Sequence, residues 1–515
     1  MKRLKYFAFT LWCVTMLVSL HSCTKDTMQY ERGNEPALEG DGALPTLTLH
    51  SRNETGQGNI LRALVWDTPF KDKLYFKLNR KAEQDVTVTV RVDNSLVELY
   101  NQENGLIGTA QEHKVFPVEN LTISQNGELS ATSGKLESSD LTITLVSEGI
   151  DKYARENYLI PIVVNTANGA EADNAVFYYR MQAVRDDPRE VVGDFAPVYV
   201  GYVNTEKVKP EVVNQFHISA TDLETFNETY YKFLDIVNLN VAQIKYDAAN
   251  ARPVLHLNTD ISFVLNHPEK YIAPVQQEDR KVCLVIKGGN DGIGPCNLND
   301  AQRANLVYQI KTVVQKAGLD GVNVWDEGAG YGKDGRPDVY AASYARFLKA
   351  LREAMPGKMI TVVDVGEPTE NFGEPIEGIE VGKVIDYAWH GYPAEIVNPW
   401  KEGEKRKPIA GFEKRQYGGV ILPIVNLNDL MHINAAVLQT ELIEEGLDNV
   451  FVFSDIPVFT HQKESETSGG VYSILVNELY DTIDWDTFTG TQYSVVCTTK
   501  FGEGGYTANI WEKDW

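Results

Sequence analysis

Cysteine is scarce in this chain, with five residues among 515. Beyond position 23 the cysteines are Cys283, Cys296 and Cys497, and none of them stands in a Cys-x-x-Cys pair. An odd number of widely separated cysteines argues against a disulfide framework and against a zinc site. Cys283 lies in an apolar strand pattern, so it is interpreted as a small buried residue.

Positively charged residues are fewer than negatively charged ones. The chain has 48 Lys and Arg against 72 Asp and Glu, a formal net charge of −24. An acidic surface of this size argues against nucleic acid and against anionic lipid as partners. The remaining composition, 43% hydrophobic and 23% charged, is typical of globular proteins, and the length predicts two or three domains.

The amino terminus carries an apolar run that is too short for a permanent membrane helix. It follows Lys2, Arg3 and Lys5 and covers residues 6–20, which predicts a signal peptide over residues 1–22. The small Ser22 before Cys23 resembles a bacterial lipoprotein cleavage box, which implies lipidation of Cys23. An ordinary secretory signal with an incidental cysteine is the alternative.

Residues 23–44 are polar and Gly-rich, as expected of a flexible tether between a lipid and a folded domain. Similar leaders occur on surface lipoproteins of gut Bacteroidetes. The resemblance implies a lipid-anchored protein of the outer membrane, displayed on the cell surface. A glycan-import complex is a further partner that it implies.

Two regions follow with different periodicities. Residues 45–188 contain period-two apolar runs separated by turn residues, which predicts an antiparallel β-sandwich. The arrangement resembles the immunoglobulin-like module at the amino end of Bacteroidetes surface lipoproteins. Residues 192–485 change to a strand, loop and helix rhythm, and residues 486–515 are interpreted as a tail packed on the second domain.

The second region predicts a (β/α)8 TIM barrel, because eight apolar strands can be placed in it. The predicted strands cover residues 197–203, 234–241, 281–286, 321–325, 359–365, 384–389, 419–425 and 450–453. The fold class is thus multidomain, with an antiparallel β-sandwich followed by a TIM barrel.

The fourth of these strands carries the chemistry. In residues 319–327, side chains alternate between faces, so Asn323, Trp325 and Glu327 share one side and Asp326 lies on the other. Glu327 stands at the carboxyl end of the strand, where barrel active sites are built. The run resembles the family 18 glycoside hydrolase signature Asp-x-x-Asp-x-Asp-x-Glu, with Asp320 first and Glu327 last.

The resemblance extends over the barrel and is closest to bacterial endo-β-N-acetylglucosaminidases, which cut the chitobiose core of N-glycans. Other shared motifs begin at Asp235, Gly288 and Tyr387. The resemblance implies that Glu327 is the acid/base and that the reaction needs no metal and no cofactor. It also implies an aspartate two residues earlier that polarises the substrate's own acetamido group. Trp325 stands there instead, and it can neither accept a hydrogen bond nor carry negative charge.

Three residues are candidates to replace that aspartate, namely Asp326, Asp364 and Asn323. Asp326 is predicted to face the wrong side of the strand, and Asn323 cannot supply charge. Aromatic side chains could line a sugar cleft even without hydrolysis. The candidate substrate-binding residues are Asn323, Trp325, Tyr392, Trp389 and Tyr202, with Tyr199 as a further aromatic of the predicted cleft. Trp389 as a core residue and Tyr392 as a surface residue are the alternatives.

Three functional hypotheses follow. The first is a surface lipoprotein that binds N-acetylglucosamine-containing glycans or glycoproteins, N-glycans above all, with hydrolysis lost or strongly reduced. The second is an active endo-β-N-acetylglucosaminidase that works by substrate-assisted retention with a rearranged helper residue. The third is a purely structural barrel.

Overall fold

The computed structural model describes the chain from residue 44 onward, with internal gaps. The described residues are 44–53, 59–65, 68–109, 111–151, 156–172, 175–183, 197–392, 396–422, 441–447, 449–454, 456, 480, 483–484, 486–497, 501–502, 505–506 and 511–515. The predicted signal peptide, the tether up to residue 43 and Cys23 lie outside them. Within this described part, no helix is long and apolar enough to cross a membrane.

The amino-terminal region is built from two β-sheets. Its elements are β1 (Leu47–Ser51), β2 (Ile60–Val65), β3 (Phe70–Leu78), β4 (Val86–Val92), α1 (Leu96–Glu103), β5 (His113–Val115), β6 (Leu121–Ile123), β7 (Glu128–Ala131), β8 (Leu141–Leu145), β9 (Asn157–Asn168) and β10 (Val176–Ala183). One sheet has the order β1-β3-β8-β6, and the other has β2-β10-β9-β4-β7 with β5 beside β9.

Both sheets contribute to one hydrophobic core, because alternate side chains of their strands are buried. Most pairings are antiparallel, as the sequence predicted. Two are not, since β2 pairs with β10 and β5 pairs with β9 in the parallel direction. The region is therefore sheet-rich, with a mixed strand arrangement.

The second region is a nearly closed barrel of parallel strands. Its barrel strands are β11 (Val198–Asn204), β14 (Ile236–Asp247), β16 (Lys281–Gly288), β17 (Gly321–Trp325), β18 (Met359–Asp364), β19 (Tyr387–His390), β20 (Tyr417–Gly418), β21 (Ile421–Leu422) and β22 (Val450–Phe453). The short strands β20 and β21 share the seventh position, because β20 pairs with β19 and β21 pairs with β22. The pairing of β22 with β11 completes the circuit.

Three predicted strands need correction. The second was predicted to end at residue 241, but β14 continues to Asp247. The sixth strand was predicted from residue 384, but residues 381–383 form a 3-10 turn and Val384 keeps a helical backbone. The predicted seventh strand, 419–425, is divided at residues 419–420, and its residues 423–425 lie outside the described part. Gly418 and Gly419 pack tightly here, since an added Cβ would lie 3.0 Å from Trp389 and 2.5 Å from Leu447.

The connections between the strands depart from a regular barrel. The remaining elements are the strands β12 (Phe216–Asp222), β13 (Glu228–Lys232), β15 (Arg252–Leu257), β23 (Thr491–Cys497), β24 (Phe501–Gly502) and β25 (Gly505–Tyr506), and the helices α2 (Thr259–Asn266), α3 (Pro268–Tyr271), α4 (Asp300–Lys316), α5 (Ala342–Ala354) and α6 (Gly366–Glu370). A hairpin of β12 and β13, extended by β23, replaces a helix in the first crossover. The barrel is therefore not a strict (β/α)8 alternation.

The amino-terminal region docks on the end of the barrel where the strands begin. Arg180 of β10 places one terminal nitrogen 3.0 Å from each carboxylate oxygen of Glu269 on α3, and both side chains are largely buried. Arg62 of β2 lies 3.1 Å from a carboxylate oxygen of Asp320. Two arginines of one region thus bind two carboxylates of the other.

Candidate active site

The side chains of β17 alternate as the sequence predicted. Asn323 is buried inside the barrel, and Trp325 packs against the hydrophobic cluster of the barrel interior. Val322 and Val324 belong to the separate core between the sheet and its outer layer. The inward face of the strand therefore runs from Asn323 through Trp325 toward Glu327.

A buried polar layer lies beneath the mouth of the barrel. The Tyr202 hydroxyl donates a hydrogen bond to Asn323 Oδ1 at 3.0 Å, and Trp389 Nε1 donates to the Tyr202 oxygen at 3.1 Å. Asn323 Nδ2 in turn donates to Thr361 Oγ1 at 2.9 Å. Burial raises the pKa of Tyr202. Tyr202, Asn323 and Trp389 are buried, so the structure places these predicted sugar-binding residues below the surface of the cleft.

Trp325 lies above this layer and is covered by a lysine. Its ring meets the ring of Tyr202 edge-on, with 5.7 Å between centroids. On the ring face of Trp325, the ammonium nitrogen of Lys287 lies 3.4 Å from the centroid. An ammonium group at this distance is attracted by the negative face of the indole. The indole and the ammonium group therefore fill this part of the cleft.

Glu327 pairs with the same lysine. Lys287 Nζ lies 3.1 Å from Glu327 Oε2, and the Glu327 side chain is 56% exposed. Lys287 thus contacts both signature positions that face the cleft. Sequence reasoning missed Lys287, although a signal was present. Cys283 and Val285 are inward-facing residues of β16, so the period of two puts Lys287 on the same face at the strand's carboxyl end.

The glycine-rich segment after β16 holds the backbone of Glu327. The Gly288 amide donates to the Glu327 carbonyl oxygen at 2.9 Å, and the Asn290 amide donates to the Gly328 carbonyl oxygen at 2.8 Å. A Cβ at position 288 would lie 2.1 Å from the Ala329 nitrogen, so only glycine allows this approach. The glycines serve close packing between two loops.

Neither aspartate that was considered as a replacement reaches the cleft. Asp326 is buried on the outer side of the strand, where its Oδ2 accepts hydrogen bonds from the Tyr331 hydroxyl at 2.7 Å and from Cys296 Sγ at 3.1 Å. Burial raises the pKa of Asp326. Its predicted orientation is therefore confirmed.

Asp364 also lies behind the sheet. Its carboxylate accepts hydrogen bonds from Thr369 at 2.6 Å and Tyr417 at 2.8 Å, and it pairs with Arg406 at 3.3 Å. The adjacent Val363 is the residue that faces the barrel interior. The hypothesis that Asp364 reaches into the site was wrong, because the strand's alternation turns its side chain outward.

The remaining aromatic candidates divide between the cleft side and the core. Tyr392 follows β19 and is 45% exposed, with its ring centroid 5.2 Å from that of His390. Tyr199 does not line the cleft as predicted. It is buried in the outer core and stacks on Phe451 at 5.6 Å, because Val200 and Tyr202 take the inward positions of β11.

The described residues contain no group of three or more His, Cys, Asp or Glu side chains that could hold a metal ion. In the cleft, the carboxylate of Glu327 lies 3.1 Å from the ammonium group of Lys287. A carboxylate can act as an acid or base, and aromatic faces can pack on sugars. The class of protein defined by this fold and site is a TIM-barrel, glycoside hydrolase-like protein.

Comparison with known proteins makes the class more specific. Endo-beta-N-acetylglucosaminidase F1 of Elizabethkingia meningoseptica is 27% identical over 267 residues, which are 51% of this chain and 73% of that protein. The endo-beta-N-acetylglucosaminidase of Flavobacterium sp. (strain SK1022) is 31% identical over 193 residues, which are 37% of this chain and 58% of that protein. The chain is an endo-β-N-acetylglucosaminidase-like protein, as the sequence motifs predicted.

A family model and a solved structure are also similar to this chain. A family model described as an N-terminal domain matches residues 63–171, within the sheet-rich region. The crystal structure of Bacteroides thetaiotamicron EndoBT-3987 in complex with Man9GlcNAc2Asn substrate aligns with a TM-score of 0.48 and 18% identity. That alignment covers 88% of this chain and 98% of the other.

Proposed function

We propose that the barrel binds N-acetylglucosamine-containing glycans, N-glycans above all, and that its hydrolytic activity is lost or strongly reduced. One observation carries the proposal. The position of the helper aspartate holds Trp325, whose ring face is covered by Lys287 at 3.4 Å. The same lysine pairs with the retained acid, Glu327, at 3.1 Å.

The chemistry explains why a retained glutamate is not sufficient. Cleavage of a glycosidic bond needs an acid at the leaving oxygen and a group that stabilises the positive charge at the anomeric carbon. In the substrate-assisted mechanism that stabilisation comes from the acetamido oxygen, which the helper aspartate makes more nucleophilic. An indole cannot accept the amide proton. Loss of one positioned electrostatic partner lowers a rate by roughly 10²–10³.

Ligand binding makes weaker demands than hydrolysis. Tyr392 is exposed beside the cleft, Glu327 offers two acceptor oxygens, and Lys287 offers ammonium donors. The two relatives at 27% and 31% identity are endo-β-N-acetylglucosaminidases by name, which supports a glycan as the ligand. The buried Tyr202, Asn323 and Trp389 would then support the cleft from below.

The cellular setting is part of the same proposal. We assign residues 1–22 to a signal peptide and Cys23 to lipidation, which would anchor the protein to the outer membrane with the barrel outside the cell. The sheet-rich region would be an immunoglobulin-like spacer between the anchor and the barrel. A glycan-import complex is the partner that such a surface glycan-binding protein would serve.

The second candidate is an active endo-β-N-acetylglucosaminidase with Glu327 as acid/base. Its support is the retained glutamate and the loop that fixes the Glu327 backbone through Gly288. The outward orientation of Asp326 and Asp364 counts against it, because neither carboxylate can replace the helper aspartate from behind the sheet.

Two measurements on protein that begins at Thr24 test the proposal. A glycoprotein with high-mannose and complex N-glycans is incubated with the protein and analysed by mass spectrometry, with Glu327→Gln as the control. We expect no glycan release. Calorimetric titration with the free glycans should then show saturable binding. Release that leaves one N-acetylglucosamine on asparagine and disappears in the control would establish the enzyme instead. Absence of binding to any N-glycan or chitooligosaccharide would refute the binding function.

A further inference from the structure

Lys287 and Trp325 are direct neighbours in the barrel. They are paired residues in the parallel register of β16 and β17, and both side chains project on the inward face. Neighbouring strands lie about 4.8 Å apart, so any side chain at position 325 begins within reach of the lysine. The Lys287 side chain is largely buried, and its ammonium nitrogen already contacts the ring of Trp325 and Glu327 Oε2.

We propose that Lys287 is a positioning residue that forms a second barrier to hydrolysis, independent of Trp325, so that recovery of activity requires replacement of both residues. The inference rests on the proposed function, because it concerns a site in which hydrolysis is lost. It identifies Lys287, which lies outside the family 18 signature, as one cause of the lost hydrolysis.

The geometry shows why Trp325→Asp alone is insufficient. A carboxylate introduced at position 325 would lie beside the ammonium group of Lys287, with Glu327 on the other side of that group. Oppositely charged groups at hydrogen-bond distance form a pair that is stronger than a neutral hydrogen bond. The new carboxylate would therefore bind the lysine instead of the substrate amide. The lysine would also keep one oxygen of Glu327 engaged.

The reaction to be recovered defines what both carboxyl groups must do. Glu327 must give its proton to the glycosidic oxygen as that oxygen leaves the anomeric carbon. At the same time the acetamido oxygen of the substrate forms a bond to the anomeric carbon. The carboxylate at position 325 must hold the amide N–H during this step. Water then attacks the anomeric carbon, its proton passes to Glu327, and the bond to the acetamido oxygen breaks. A lysine bound to both carboxylates opposes the first step.

A set of four variants tests the proposal, with protein beginning at Thr24 and a high-mannose N-glycosylated peptide as substrate. The variants are W325D, W325D/K287M, W325D/K287R and W325D/K287M/E327Q. Methionine is an unbranched, uncharged side chain close to lysine in length, and arginine keeps the charge. Release is followed by mass spectrometry, and kcat and KM are determined separately. Circular dichroism and glycan titration verify that each variant folds and binds.

We expect W325D/K287M to release glycan at least about tenfold faster than W325D, with the gain in kcat. W325D/K287R should stay as slow as W325D, and the triple variant should be inactive. Equal rates for W325D and W325D/K287M, or a gain in W325D/K287R as well, would overturn the role of Lys287. Either outcome that overturns the role of Lys287 would leave the proposed function intact. Release by the wild-type protein at least as fast as by W325D/K287M, or absence of wild-type glycan binding, would instead refute the proposed function.

Discussion

The carboxylates at the two ends of strand β17 differ in burial and in the number of groups that bind them. Asp320, just before the strand, accepts hydrogen bonds from Gln276 Nε2 and the Val282 amide at 2.8 Å and pairs with Arg62 at 3.1 Å. Burial alone would raise the pKa of Asp320, but Arg62 and Lys281 outweigh it, so the pKa lies below its ordinary value. Glu327, just after the strand, has a side chain that is 56% exposed and pairs with Lys287 at 3.1 Å.

The difference separates a structural end of the barrel from the end where we propose that a glycan binds. At the structural end, a cavity of about 660 Å³ is lined by charged residues that include Arg352 and Asp386, and these two pair with each other at 2.7 Å. Arg62 of the amino-terminal region pairs with Asp320, which lines this cavity. The position of a signature carboxylate in a barrel therefore indicates its role better than its residue type does.

The largest effect should come from the ion pair between the two regions. Glu269→Ala leaves Arg180 buried without its carboxylate, and removal of one partner of a buried pair costs about 3–5 kcal/mol. We expect a lower thermal midpoint and a separation of the two regions into distinct calorimetric transitions. The double variant R180L/E269L should recover much of the loss, since no buried charge is left unpaired. A single unchanged transition in Glu269→Ala would show that this interface contributes little.

His113 should make the same interface sensitive to acid. Its ring is buried against Tyr100, its nitrogens have no hydrogen-bond partner, and burial lowers its pKa to about 4. Glu269 and Arg180 are the charged groups that act on it. Because the unfolded state binds the proton more readily, the stability is complete above pH 6.5 and falls as the pH drops toward 4. The loss amounts to about 3 kcal/mol at most.

The test for His113 is the pH dependence of the unfolding free energy. His113→Phe keeps an aromatic ring and removes the proton-binding nitrogens, so the variant should lose this part of the decline between pH 6.5 and 4. His267→Gln, at an exposed position, is the matched control and should keep the wild-type slope. The same slope in His113→Phe and in the wild type would contradict the assignment.

A smaller effect is expected at Arg62. Its guanidinium donates hydrogen bonds to the carbonyl oxygens of Gln276 and Arg280 and to the carboxylate of Asp320. Arg62 thus connects the starts of two barrel strands. Arg62→Ala should lower stability by about 1–3 kcal/mol, because Asp320 keeps its other donors. The control is Arg52→Ala, whose partners Glu137 and Asp140 are more exposed, with an expected loss below about 1 kcal/mol. Equal losses in chemical denaturation would remove the distinction.

The sequence predicted what depends on local periodicity. Strand β17 and strand β22 have the predicted bounds, and the alternation placed Trp325 inward and Asp326 outward correctly. The alternation of β16 likewise places Lys287 on the inward face. The hairpin of β12 and β13, by contrast, was not predicted from the sequence.

Contacts between distant segments could not be predicted in the same way. Arg62 and Asp320 are 258 residues apart, and no local pattern assigns the arginine to that carboxylate. The outward side of Asp364 follows from the period of two, but its partners Tyr417 and Arg406 come from later parts of the chain. One sequence specifies such pairs only through the complete fold.

The smallest change in stability should come from Lys287→Met, at the end where Glu327 lies. The ion pair with an exposed carboxylate and the contact with the indole face each contribute about 1 kcal/mol or less. Methionine can still cover the ring of Trp325, so unfolding by denaturant should differ from the wild type by no more than about 1 kcal/mol. A loss as large as that of Arg62→Ala would mean that Lys287 is part of the structural core. The two ends of β17 would then no longer differ in kind, and the cleft could not be treated as a surface free to bind a ligand.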